Sequence, residues 1–162
     1  MSVPEYPTQL LRELVARCEA DPEREVCGFV VRVDGALGVR EIGNVADRYH
    51  AADPVHFPRT SRDSYLMDPK AQLRVHRELA ERGGEIVAVW HSHVEVGAYF
   101  SAKDRDDAVV DGIQQVPGAE YLVFGVRAGI VTEAKLYRWT NGDFLEKPIE
   151  LPSAGARERD DR

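Results

Sequence analysis

The chain has 162 residues, 43% hydrophobic and 30% charged, with a formal net charge of −7. That length closes one hydrophobic core in a single globular domain, and the negative balance leaves no broad basic footprint for nucleic acid or an anionic membrane. No apolar run approaches transmembrane length, Met1–Glu5 lack the basic and apolar segments of a signal peptide, and the two cysteines have no C-x-x-C spacing, so a cytoplasmic protein without disulfides is expected.

Apolar residues at Leu10, Leu11, Leu14, Val15 and Cys18 predict an amphipathic helix over 8–20, with Thr8 as its cap and Asp21-Pro22 as its stop. The run from Glu25 to Val33 reads as a largely buried strand, Asp34-Gly35 as a turn, and 37–45 as its hairpin partner. Between Ala46 and Asp68 the periodicity dissolves, and this segment is expected to hold a short strand or a functional loop. His50 and His56 within it read as surface histidines.

Asp68-Pro69 is an N-cap and first-turn pair, opening a helix with Leu73, Val75 and Leu79 that Gly83-Gly84 closes. His76 belongs to its surface or core edge. A strand follows from Ile86 through Trp90. A further helix is expected from about 102 to 113, with Val109, Val110 and Ile113 as its apolar face. Two strands, 121–126 and 130–139, flank a turn at Ala128-Gly129, and a last short strand is expected at Phe144-Leu145. Residues 152–162 carry no aliphatic side chain larger than alanine and read as a disordered tail. The order of elements predicts an α/β or α+β domain, a mixed sheet with helices packed on it, over 1–150, followed by the tail over 151–162.

The chemistry concentrates in Trp90-His91-Ser92-His93 and Ser101-Ala102-Lys103-Asp104, with seven residues between His93 and Ser101. On a strand, residues two apart share a face, so His91 and His93 can converge on one ion while Ser92 points away. With Asp104 they make the two imidazoles and one carboxylate of a catalytic zinc, the fourth position left to water. The pattern has plain alternatives, since H-x-H also ends ordinary strands and S-x-x-D also caps helices. A cap and a metal ligand are compatible, because a capped first turn would hold Asp104 still.

A zinc-activated water needs a base close to the metal. Glu25, at the mouth of an apolar strand beside Gly28, fits locally. Glu19, Glu23 and Glu95 compete, and spacing alone leaves Glu25 level with an ordinary exposed carboxylate. Ser101 can donate to a tetrahedral oxyanion. Cys27, buried in a strand, is a poor nucleophile.

Glu25-Val26-Cys27-Gly28-Phe29, His91-Ser92-His93 and Ser101-x-x-Asp104 together resemble the JAMM (MPN+) metalloprotease family, especially its compact prokaryotic members. The resemblance runs from the first helix to about Trp139. It implies a single MPN domain, a curved mixed sheet flanked by helices and similar to cytidine deaminases. It implies a zinc-dependent hydrolase of peptide or isopeptide bonds at the C-terminus of a ubiquitin-like or sulfur-carrier protein of β-grasp fold. By matching position, His91, His93 and Asp104 would bind one zinc, Glu25 would be the general base, and Ser101 would support the oxyanion. A homodimer is compatible with the family. Two further readings stand beside this one, a scaffold protein on the same fold and a zinc hydrolase of a small amide. The sequence departs from the family at Val94 and Phe100, where prolines are usual, and a more mobile or differently shaped 94–100 loop is expected.

Overall fold

The computed structural model describes residues 6–153. Most of the expected tail (154–162) and the first five residues lie outside the described residues. The elements are α1 (Thr8–Ala20), β1 (Cys27–Val33), β2 (Ala36–Ile42), α2 (Ala46–Ala52), α3 (Pro69–Arg82), β3 (Glu85–Val94), α4 (Ala102–Ala108), β4 (Val109–Val110), β5 (Ile113–Gln114), β6 (Glu120–Arg127), β7 (Ile130–Thr140) and β8 (Asp143–Pro148).

Six strands form one sheet in the order β2-β1-β3-β6-β7-β8. Only β3 and β6 are parallel, and α4 lies in the connection between them. Side chains alternate across the sheet, so Ala88 and Trp90 join one core layer and Val89 the other. The first layer packs Leu10, Leu14, Val15 and Cys18 of α1 on Val30, Trp90, Leu122 and Phe124. The second packs Val75 and Leu79 of α3, with Ala98, Phe100 and Ala108, on Phe29, Val31, Val89 and Val123. His91 and His93 follow Val89 in alternation, at the end of the strand where this second layer opens.

Gly28 is required where β1 and β2 meet. A Cβ there would lie 2.2 Å from Arg40 O and 2.9 Å from the Trp90 ring. That close packing lets the Trp90 indole donate to Phe29 O at 3.2 Å.

Four local expectations change. Thr8 is the first helical residue and not a cap, since Pro7 holds the cap position without a side-chain bond. Segment 46–68 holds a short helix, α2, and a single bridge between Asn44 and Met67. The helix expected to reach residue 113 stops at Ala108. Val109–Gln114 is a small hairpin instead, turning at Asp111-Gly112 with φ of 53° and 75°. An Asp-Gly pair favours that turn, and Val110 and Ile113 are left exposed. The last strand is longer than expected, running over Asp143–Pro148.

Candidate metal centre

β3 brings the His91 and His93 Nε2 atoms to 3.1 Å from each other. Asp104 Oδ2 lies 3.2 Å from the first and 3.4 Å from the second. Zinc bonds of about 2.0–2.1 Å in a tetrahedron imply ligand edges of about 3.3–3.4 Å. The observed triangle therefore has the size of one face of a zinc site. His93 Nδ1 sits 3.0 Å from Gly97 O. A carbonyl only accepts, so Nδ1 carries the hydrogen and the neutral ring turns the Nε2 lone pair inward. Two imidazoles and a carboxylate thus aim at one point, which suits a divalent cation.

Asp104 is held by a capping box. Its N–H donates to Ser101 Oγ at 3.0 Å, and Ser101 N–H donates to Asp104 Oδ2 at 3.0 Å. The hydroxyl hydrogen of Ser101 is not used by that cap. Burial opposes ionisation of Asp104, but the two histidines and the Ser101 N–H together hold its carboxyl well below the usual range. Burial likewise favours the neutral form of His91 and lowers its pKa.

Glu25 is only 6% exposed. Its carboxylate and the two imidazoles have ligand atoms within 4.8 Å of one another. Burial, the largest influence, pushes its pKa up to about 8. The antiparallel pairing of β1 with β3 sets Cys27 opposite His91, placing Glu25 beside the end of β3. Ser92, turned away from the histidines as expected, clamps this junction: Val26 N–H donates to its Oγ at 2.9 Å. Segment 46–68 closes the other side. Glu25 N–H donates to Ser61 O at 2.7 Å, and Asn44 Nδ2 donates to both Glu25 O and Ser64 O.

The competing carboxylates are elsewhere. Glu19 accepts from Val131 N–H, Glu95 from Ala128 N–H, and Glu23 is exposed. Cys27 donates to Ile42 O, and burial raises its thiol pKa. His50 faces Phe57 O, His56 pairs with Asp53, and His76 packs edge-on to Phe29. None of the three joins the centre.

Glu25, His93, Ser101 and Asp104 line a cavity of about 140 Å³, with Tyr65 and Tyr99 on its walls. The Tyr65 ring lies 4.7 Å from His91, and the Tyr99 ring 4.7 Å from His93. Tyr65 was hidden in the aperiodic segment, where no spacing marked it.

The loop after His93 is anchored at several points. Glu95 N–H donates to Val126 O, Ala98 N–H to Glu133 Oε2, and Tyr137 OH to Ala98 O. Phe100 stacks on Tyr137 at 4.8 Å and also meets Tyr121 and Phe144. Packing and hydrogen bonds hold the backbone where prolines would otherwise stiffen it.

This fold and constellation define a hydrolase of the JAMM type. The chain belongs to the family described as prokaryotic homologs of the JAB domain, which matches residues 7–141 and is in general zinc-dependent. Among similar proteins is the CysO-cysteine peptidase of Mycobacterium tuberculosis, 26% identical over 142 residues, covering 88% of this chain and 86% of that one. Another is the desampylase of Haloferax volcanii, 27% identical over 131 residues and 81% of each chain. A solution structure from Desulfitobacterium hafniense superposes with a TM-score of 0.62 at 21% identity, covering 89% of each chain. One from Salinibacter ruber gives 0.53 at 22% identity, covering 92% of this chain and 91% of that one. These two likenesses concern the fold alone.

Proposed function

We propose that this protein is a zinc-dependent metallopeptidase that cuts a peptide or isopeptide bond at the C-terminus of a ubiquitin-like or sulfur-carrier protein. The observation that carries the reading is the zinc-sized donor triangle of His91, His93 and Asp104 with Glu25 buried beside it. The names of the two relatives support a protein substrate, one being a peptidase and the other a desampylase. Two buried free thiols and the lack of a membrane-crossing helix among the described residues fit a cytoplasmic setting.

His91, His93 and Asp104 would hold the zinc, which when bound acidifies a water and polarises a carbonyl. Glu25 takes the proton of the attacking water and returns it to the departing amine, so that one C–N bond breaks and one C–O bond forms. The Ser101 hydroxyl donates to the oxygen that gains charge as the carbonyl carbon becomes tetrahedral. Tyr65 and Tyr99 flank the two imidazoles and limit water around them. A carboxyl buried like Glu25 costs free energy, and a scaffold protein would have no use for that cost.

The test is incubation of zinc-loaded protein with β-grasp carriers extended beyond Gly-Gly, by a single residue or through a lysine side chain, and weighing of the products. Release of the extension at Gly-Gly is expected. Intact carriers, with hydrolysis of small amides instead, would overturn the reading.

A further inference from the structure

The walls of the cavity differ in chemistry. The loop after His93 contributes Val96 and Tyr99, 40% and 51% exposed. The segment between α2 and α3 contributes Arg59 and Arg62. In a chain of net charge −7, two exposed arginines beside the buried Glu25 stand out.

Among the described residues, neither guanidinium has a hydrogen bond or ion pair. The nearby charges are already engaged. Lys103 Nζ bonds Asp107 at 2.6 Å and Tyr65 O at 3.2 Å. Asp63 Oδ1 accepts from Thr60 N–H at 3.1 Å, within the turn that Asp63 N–H closes onto Thr60 O. Asp104 faces the histidines.

The arginines are also well placed. Between them lies Ser61, buried, whose N–H and hydroxyl both donate to Asp47 at 2.7 Å. Ser61 O accepts from Glu25 N–H at 2.7 Å. The backbone carrying the arginines is therefore tied to the residue nearest the chemistry, while their side chains are uncommitted.

Two unpaired guanidinium forks at the mouth of a small cavity suit a carboxylate, which each can bind through paired N–H donors. The Gly-Gly end of a carrier offers uncharged backbone at this point. A departing group of one C-terminal amino acid places a free carboxylate a single residue past the scissile bond, since a residue advances the chain by about 3.3–3.6 Å. A lysine joined through its side chain leaves its own main chain beyond its four methylenes.

Resting on the function proposed above, we infer that Arg59 and Arg62 form the subsite for the α-carboxylate of the departing residue. The enzyme then acts on carriers extended by a single amino acid in preference to isopeptide conjugates.

The test uses the full chain, zinc-loaded, and a carrier extended past Gly-Gly by one alanine, as the free acid or the carboxamide. KM for the acid is expected to be about 10- to 100-fold below that for the amide. In the Arg59→Gln/Arg62→Gln variant that preference disappears, with the acid's KM rising to that of the amide. The Arg59→Lys/Arg62→Lys variant keeps part of it. Binding of the acid and the amide to Glu25→Gln protein, whose turnover is expected to be slower by about 100-fold or more, should show the same difference. Equal handling of acid and amide by wild-type protein overturns the subsite alone. Equal loss of both in the double glutamine variant also overturns it, placing the arginines against the carrier's surface. Failure to cleave either form while isopeptide-linked carriers are still cleaved overturns the subsite and leaves the proposed function standing; failure on all three overturns both.

Discussion

Glu25 and His91 lie in one cluster but carry different duties, and substitution separates them. Glu25→Gln is expected to keep about one zinc per chain by elemental analysis while hydrolysis falls by about 100-fold or more. His91→Ala is expected to lose zinc and turnover together. Full turnover by Glu25→Gln would remove the proton-transfer assignment. Ser101 has two separable effects. Loss of its cap in Ser101→Ala should cost about 0.5–2 kcal/mol of stability, seen as a lower Tm. Loss of its hydroxyl donor should reduce kcat by about 10²- to 10³-fold. A lowered Tm with undiminished kcat would leave Ser101 as a cap only. The histidine pair and the S-x-x-D pair were legible in the chain because their spacing maps directly onto a strand face and a helix turn. Glu25 was not separable from Glu19, Glu23 and Glu95 by spacing. The resemblance pointed to it, and the pairing of β1 with β3 sets it beside the histidines.

At the scale of elements, the loop from Glu95 to Phe100 folds back over β6 because Gly125 leaves room. A Cβ at Gly125 would lie 2.9 Å from Val96 O and 3.2 Å from Ala98 N. Gly125→Ala should therefore lift this loop and move Gly97 O away from His93 Nδ1. Thermal unfolding should show a loss of about 1–3 kcal/mol, and zinc affinity should fall about 10- to 100-fold. Unchanged zinc affinity would detach the loop from the metal centre. The departures from proline at Val94 and Phe100 could be read in the sequence, but not their compensation. That compensation comes from Glu133, Tyr137 and Phe144, all more than thirty residues further along the chain. The hairpin at 109–114 escaped for a local reason: three apolar residues at helical spacing outweighed the Asp111-Gly112 turn.

For the whole molecule, zinc held by His91 and His93 of β3 and Asp104 of α4 would tie the strand end to the helix that follows it. Zinc at 1,000 times its Kd would add about 4 kcal/mol to the folded state, and a domain of this size gains about 2–4 °C in Tm per kcal/mol. Chelation should thus lower Tm by about 8–16 °C in wild-type protein and leave His91→Ala unmoved. Equal response of the two proteins would place the bound metal elsewhere. The two core layers explain why the folded frame should survive zinc loss, since α1 and α3 bury their apolar faces on opposite sides of the sheet without using the metal ligands.

The main helices and strands, a mixed sheet with helices packed on it and the three candidate zinc ligands were legible in the sequence, because they follow from periodicities of two and 3.6 and from short spacings. What surrounds them depends on contacts between distant segments. Glu25, Tyr65, Arg59 and Arg62 reach the cavity through pairings and hydrogen bonds between segments far apart in the chain. No local pattern encodes those pairings, because their free energy is realised only when the sheet is assembled.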